Sequence, residues 1–169
     1  MDIGLLVLRI VVGLVMAYHG TEKLLGWWGA DGLKGAAAFF GRMGYRPPLV
    51  IAAVAGLTET MGGLLLAAGA LTPLAVLMLA GTFANIVILH LPNGLSRRRN
   101  GFEYELVLLA ATACVAFTGP GALAVDALYG LALNGAVWGA ALVGAGLLAG
   151  AAVSASRTRP ISAGPAGAP

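Results

Sequence analysis

LLVLRIVVGLVMAYHGTEKLL, residues 5–25, is an apolar run of membrane-spanning length that contains an arginine and ends in a titratable cluster. An ionised group near the centre of a bilayer costs at least ~2.5 kcal/mol, so the ionisable residues of this run are predicted to face protein. At about 100° per residue they share a helical sector of about 80° with two apolar residues. The stripe consists of Arg9, Val12, Met16, His19 and Lys23.

The composition of the whole chain is that of a polytopic helical membrane protein. Of its 169 residues, 59% are hydrophobic and 10% are charged, and the mean hydropathy is +0.90, far from the usual composition of a soluble domain. The formal charge of +3 does not indicate nucleic acid as a partner, because no basic patch is interleaved with aromatic residues. The single cysteine, Cys114, excludes an intrachain disulfide, a CxxC pair and a thiolate metal site.

Five apolar runs are long enough, or nearly so, to cross a hydrocarbon core of ~30 Å. They are residues 3–25, 49–71, 74–91, 102–118 and 131–153. The fourth, with about 17 residues, is near the short limit for a membrane helix. With five spans, every lysine and arginine apart from Arg9 lies on one side of the membrane, which the positive-inside rule makes cytoplasmic. The prediction is a multi-pass protein of the cytoplasmic membrane, with its N-terminus outside and its C-terminus in the cytoplasm.

Two segments are predicted to lie outside the spans. The loop at 26–48 contains paired tryptophans and other aromatic residues beside lysine and arginine, which favours an in-plane helix or a partly re-entrant loop at the membrane interface. Residues 154–169 lack apolar content and are predicted to be a flexible cytoplasmic tail. The chain thus divides into residues 1–130, which contain the first four spans and the loop, a last transmembrane helix at 131–153, and the tail.

Glu59 lies near the middle of the second run, with alanine and glycine on the same helical face. Small residues at this spacing let another backbone approach closely, so Glu59 is predicted to point into a helix interface. Arg9, which needs a carboxylate or a wet cavity, is its best candidate partner, and His19 or a ligand are alternatives. Two interpretations stand at even weight: a structural ion pair that fixes helix register, and a functional site, where intramembrane ionisable groups are enriched.

Further titratable residues are predicted to gather at the cytoplasmic edge. Glu103 begins the fourth run, where a helix N-terminus favours negative charge, and it is a candidate partner for Lys23, His19 or His90. Two histidines without a third ligand do not indicate a metal site. Asn85 in the third run is interpreted as an interhelical hydrogen-bonding residue in preference to a ligand.

The last run contains Gly135-x-x-x-Gly139 and Gly146-x-x-x-Gly150, which predict close helix packing. The pattern leaves open whether this helix packs on its own bundle, on a second copy or on another subunit. The expected partners are membrane lipid and, through this helix, other proteins or a homo-oligomer.

An ordered set of short motifs runs through the first four spans. It comprises Leu8-Arg9, His19-Gly20 followed by Glu22-Lys23-Leu24, Gly56 with Glu59 and Gly62-Gly63, Leu71-Thr72, Gly101 with Glu103, and Gly119-Pro120-Gly121 before Asp126. This set resembles the DoxX family of small bacterial membrane proteins. The resemblance implies a four-helix membrane bundle linked to redox and sulfur metabolism, since related proteins form the membrane subunit of a thiosulfate:quinone oxidoreductase or belong to a membrane complex for oxidative-stress and thiol defence.

Two functions are expected on this basis. In the first, the chain is the membrane subunit of a quinone-dependent oxidoreductase, and a polar site binds the quinone headgroup and exchanges its protons. The chain has no haem-binding motif, iron-sulfur cysteine set or Rossmann glycine motif, so no covalent cofactor is expected and electrons must come from elsewhere. In the alternative, it is a non-catalytic assembly subunit of a larger membrane complex; a carrier ranks last, because no inverted repeat is evident. The candidate site residues are Arg9, His19, Lys23, Glu59 and Glu103.

Overall fold

The computed structural model describes residues 2–131 and 133–158, and the regular structure in this part of the chain is all helical. Short 3₁₀ turns at Trp27–Gly29, Leu91–Asn93 and Arg97–Arg99 lie between the α-helices. The α-helices are α1 (Asp2–Leu25), α2 (Gly32–Arg42), α3 (Pro48–Ala68), α4 (Thr72–His90), α5 (Glu103–Thr118), α6 (Val125–Leu128) and α7 (Gly135–Ala155).

The predicted all-α membrane fold is confirmed. By length and composition, α1, α3, α4 with the turn that follows it, and α7 are able to cross a membrane. Helix α5, the fourth predicted span, has 16 residues and is therefore about 24 Å long, which is shorter than the ~30 Å hydrocarbon core. The structure thus supplies four helices of spanning length and one that is shorter.

Helices α1, α3, α4 and α5 form a closed four-helix bundle. Helix α1 packs on α3, α3 on α4, α4 on α5, and α5 on α1. Helix α2 lies against α1 and α3, and α7 packs against α4 and α5 on the outside of the ring. The buried core takes side chains from all four bundle helices: Val12, Met16, Leu66, Ala75, Leu79, Phe83, Leu108 and Val115.

Glycines bring α1 and α3 into close antiparallel contact. A Cβ atom built on Gly20 would lie 2.7 Å from the carbonyl oxygen of Gly56, and one built on Gly63 would lie 2.6 Å from the amide nitrogen of Ala17. This confirms the close approach predicted for the small residues around Glu59. It also fixes the register, because the middle of α3 is placed opposite the second half of α1.

The connections between helices close the two ends of the bundle, which we call the Asp2 end and the Lys23 end. At the Asp2 end, Gly69 ends α3 with a φ of +63°, and the amide of Ala122 donates to the Asp2 carboxylate at 2.9 Å. Helix α5 extends between the two ends, since Tyr104 near its start contacts the His19 ring and Gly121 beyond its end lies beside Leu5.

At the Lys23 end, the chain is described as far as Thr158. Its amide donates to the carbonyl of Gly44 at 2.9 Å, so the residues that follow α7 contact the loop between α2 and α3. The remainder of the predicted tail, 159–169, lies outside the described residues.

Candidate functional site

Arg9 is completely buried at the Asp2 end of the bundle. Its Nη2 donates to the carbonyl oxygen of Leu123 at 2.8 Å, and its Nη1 lies so close to Gly69 that no side chain fits there. The antiparallel register puts Arg9 level with Gly69, ten residues and about 15 Å along α3 from Glu59. Arg9 therefore does not pair with Glu59, the partner expected from the sequence.

Asp126 lies at the same end of the bundle as Arg9, because its amide donates to the carbonyl oxygen of Gly69 at 2.8 Å; it is not among the candidate site residues predicted from the sequence. It is 2% exposed, and its two carboxylate oxygens accept hydrogen bonds from the amides of Leu71 and Thr72, each at 2.7 Å. These amides begin α4, where a helix has unpaired donors and favours a negative charge. The two hydrogen bonds to Asp126 also stabilise the φ of +44° at Leu71, an unusual value for a residue other than glycine. Arg9 and Asp126 thus fasten the Asp2 end.

Glu59 and Lys23 form the ion pair near the centre of the candidate site. Lys23 Nζ donates to Glu59 Oε2 at 2.5 Å in a charge-assisted hydrogen bond. The Glu59 side chain is 2% exposed and that of Lys23 is 28% exposed. The prediction that Glu59 points into a helix interface is confirmed, and its partner is the last residue of the ionisable stripe on α1.

His19 and Glu103 occupy different positions relative to this pair. His19 Nδ1 lies 3.0 Å from Glu22 Oε2, one turn from Lys23, and its ring is edge-on to Tyr104. Within the part of the chain that the structure describes, the exposed Glu103 side chain makes no hydrogen bond or ion pair. It does not pair with Lys23, His19 or His90, because the next residue of α5, Tyr104, is the one that faces His19. The structure brings Lys23, Glu59 and His19 together and places Arg9 and Glu103 elsewhere.

A cavity of about 480 Å³ lies beside the ion pair, between α3 and α4. Its volume falls in the range of small-molecule sites. Phenylalanines of α2 and residues near the end of α7 line it further, and most of the wall is apolar. The polar lining consists of Lys23, Glu59, Thr58, Thr82, Asn85 and His90. Thr58, Thr82 and Asn85 were not among the candidate site residues. The signals in the sequence were the helical spacing of Thr82 and Asn85 and the position of Thr58 next to Glu59.

One edge of the cavity is held by a hydrogen bond between Tyr45 and Asn85. The Tyr45 hydroxyl donates to Asn85 Oδ1 at 2.6 Å, and the Arg157 guanidinium lies 5.6 Å from the Tyr45 ring centroid. Asn85 forms a hydrogen bond, but its partner lies in the loop between α2 and α3 and not, as the sequence predicted, on another helix. Tyr45, which is fully buried, connects α4 to the residues that follow α7.

The glycine face of α7 is buried against the chain's own bundle. A Cβ on Gly146 would lie 2.7 Å from the Ala80 Cβ, and Gly150 lies against Gly81 and Ala84. Gly139 fits against the Phe117 ring. The glycines therefore dock α7 onto α4 and α5. Protein partners or a homo-oligomer remain predictions, and they would use the opposite face of this helix.

Comparison with known proteins agrees with the motifs and the fold. A family model described as DoxX matches residues 4–91, just over half of the chain. The Bacillus subtilis (strain 168) protein "Putative oxidoreductase CatD" is 30% identical over 128 residues, which cover 74% of this chain and 86% of that protein. No solved structure matches the chain. The chain belongs to the DoxX family of membrane proteins.

Proposed function

We propose that this chain is a membrane subunit of a quinone-dependent redox system and that it binds the quinone in the cavity beside Lys23 and Glu59. The observation that carries the proposal is the combination of a largely apolar cavity with one buried ion pair in its wall. A quinone needs both features, because it joins a long hydrocarbon tail to a headgroup whose two oxygens take up protons on reduction.

The cavity has polar groups that suit the headgroup. The Lys23 ammonium is a hydrogen-bond donor to a quinone oxygen, and the Glu59 carboxylate holds that ammonium in place at 2.5 Å. The Thr82 hydroxyl on α4 offers a further donor, whereas the Thr58 hydroxyl, 3.2 Å away on α3, donates to the carbonyls of Val54 and Ala55 on its own helix. The apolar walls of α3 and α4 suit the tail, because pockets of this kind combine a hydrophobic lining with a few polar groups that orient the ligand.

The electrons must come from a partner protein. The sequence carries no motif for haem, iron-sulfur or dinucleotide binding, whereas the Bacillus relative bears the name of an oxidoreductase. The DoxX resemblance makes a sulfur compound or a thiol the expected electron donor, in quinone-linked sulfur oxidation or in oxidative-stress defence. We expect the Lys23 end to lie at the cytoplasmic face of the bacterial inner membrane, because the basic loops lie at that end and basic loops favour the cytoplasmic side.

Binding of a short-tailed fluorescent quinone analogue to the protein in nanodiscs tests the proposal. Glu59→Gln removes the charge that positions Lys23, and Ala55→Phe fills part of the cavity. Each variant is expected to weaken binding at least about tenfold, which corresponds to ~1.4 kcal/mol. Glu103→Gln is the matched control, because that carboxylate is exposed and does not line the cavity.

An affinity that neither Glu59→Gln nor Ala55→Phe changes would contradict the proposed site. Absence of binding to the wild-type protein would favour the alternative function, a non-catalytic assembly subunit. In that case the ion pair would serve only to fix the register of α1 on α3.

A further inference from the structure

Lys23 lies in the wall between two cavities. The first is the cavity beside Glu59, and the second, of about 280 Å³, is more open and lies between the end of α1 and helix α2. We call the second cavity the vestibule. Its polar lining is Glu22, Lys23 and Asp31, and it shares Lys23, Phe39 and Phe40 with the first cavity.

Exposure falls steeply from the vestibule to Glu59. Asp31 is exposed, the side chains of Glu22 and Lys23 are 26% and 28% exposed, and that of Glu59 is 2% exposed. Phe39 and Phe40 separate the two cavities elsewhere along their common wall. The Lys23 side chain is therefore the polar group that bridges the open vestibule and the buried carboxylate.

The charged and titratable groups around this bridge come from three elements. His19 and Glu22 lie on α1 within one turn of Lys23, and Lys23 Nζ is 3.5 Å from the carbonyl oxygen of His19. Asp31 faces the vestibule from the start of α2, and His90 lines the inner cavity from α4. The carboxylates of Glu22 and Asp31 attract protons to the mouth of the vestibule. The Glu59 carboxylate can accept a proton at the inner end of the bridge.

We propose that Lys23 relays protons between water in the vestibule and Glu59, and thereby to the ligand in the inner cavity. The relay rests on the proposed function for the identity of that ligand. The Lys23 ammonium gives one proton to the Glu59 carboxylate, which leaves a neutral amine and a neutral carboxylic acid. The amine then takes one proton from an acid in the vestibule, so that the net change is one proton moved inward and Lys23 is an ammonium again.

A lysine suits this role in a way that an arginine does not. Its amine exists in both protonation states, whereas a guanidinium does not lose its proton in proteins. The flexible stem also lets Nζ turn between Glu59 and the vestibule. A purely structural ion pair, by contrast, would be served by either side chain.

Lys23→Arg is therefore the decisive variant, because it keeps the charge and a donor for Glu59 but cannot release a proton. The measurement follows the infrared carboxyl band of Glu59, assigned by its absence in Glu59→Gln, after a rapid drop in pH. An equilibrium titration first identifies, for each variant, a pH at which the Glu59 carboxyl group is protonated. The protonation rate of Glu59 is expected to fall roughly 100-fold in Lys23→Arg, as on loss of a positioned proton-transfer group. Lys34→Arg, a change of an exposed lysine on α2, is expected to leave the rate unchanged.

A protonation rate in Lys23→Arg equal to that of the wild type would overturn the relay and leave Lys23 as a structural partner. The same variant separates this proposal from the proposed function, because binding of the quinone analogue is measured independently. Retained analogue binding with slow protonation supports both proposals. Slow protonation in Lys23→Arg, together with no analogue binding by the wild-type protein, supports the relay and refutes the quinone.

Discussion

Removal of Lys23 is expected to destabilise the protein far more than removal of Glu59. In Lys23→Met the Glu59 carboxylate, whose residue is 1% exposed, loses the ammonium at 2.5 Å. Breaking a buried ion pair by removing one partner costs ~3–5 kcal/mol, because the remaining charge is left uncompensated. In Glu59→Gln the remaining charge is on Lys23, which is partly exposed and able to extend toward the vestibule, so we expect a cost of ~1 kcal/mol, that of one lost hydrogen bond.

The double variant Lys23→Met/Glu59→Gln leaves no charge behind and is expected to be more stable than Lys23→Met. A double-mutant cycle should then give a coupling energy of about 2–3 kcal/mol, within the range for residues in direct contact. The free energy of unfolding is measured by titration of mixed detergent micelles with dodecyl sulfate, followed by circular dichroism. Additivity of the two single changes within ~0.5 kcal/mol, or a larger cost for Glu59→Gln than for Lys23→Met, would refute the buried pair.

Three further changes test the packing around the site by the same unfolding measurement. Asp126→Ala removes the acceptor of two 2.7 Å hydrogen bonds and should cost about 1–3 kcal/mol, whereas the exposed Asp31→Ala should cost little; equal costs would contradict the fastening role. Gly20→Leu should disrupt the contact of α1 with α3 and lower the yield of folded protein, while Gly4→Ala, which meets no atom within 4 Å, should fold normally. Tyr45→Phe loses the bond at the cavity edge and should cost about 1 kcal/mol; no change in stability would mean that this bond contributes nothing.

The sequence predicted which residues of α1 face protein, but not what each of them meets. The prediction that the ionisable stripe of α1 faces protein was correct, because helical periodicity and the cost of a charge in lipid can both be read from one segment. Arg9 and Glu59 were expected to meet because both are buried charges of opposite sign. The partner of each depends on the register of α1 against α3, which is set by Gly20 against Gly56 and Gly63 against Ala17. Contacts between two segments of this kind do not follow from the periodicity of either one.

Helix α6 and the start of α5 show the same limit to prediction from the sequence. Asp126 belonged to the quoted motif set, yet its role as a cap on α4 depends on the amides of Leu71 and Thr72, which are more than fifty positions earlier. Glu103 was correctly placed at the start of a helix, but a turn of about 100° per residue decides whether Glu103 or Tyr104 faces His19. The cavity was beyond prediction, because it is formed where α3 and α4 separate and α2 and α7 cover the gap.

Helix α7 affects the access of molecules from the bilayer to the inner cavity. Through Gly150 and Val153 it supplies one side of the inner cavity, and through Thr158 its end is tied to the loop before α3. A chain that stopped after α6 would lack this side of the cavity, and we expect the groove between α3 and α4 then to open to the acyl chains of the bilayer. Helix α7 covers this side of the groove. Entry of a ligand from the bilayer should therefore depend on the shape of the ligand as well as on its solubility in lipid.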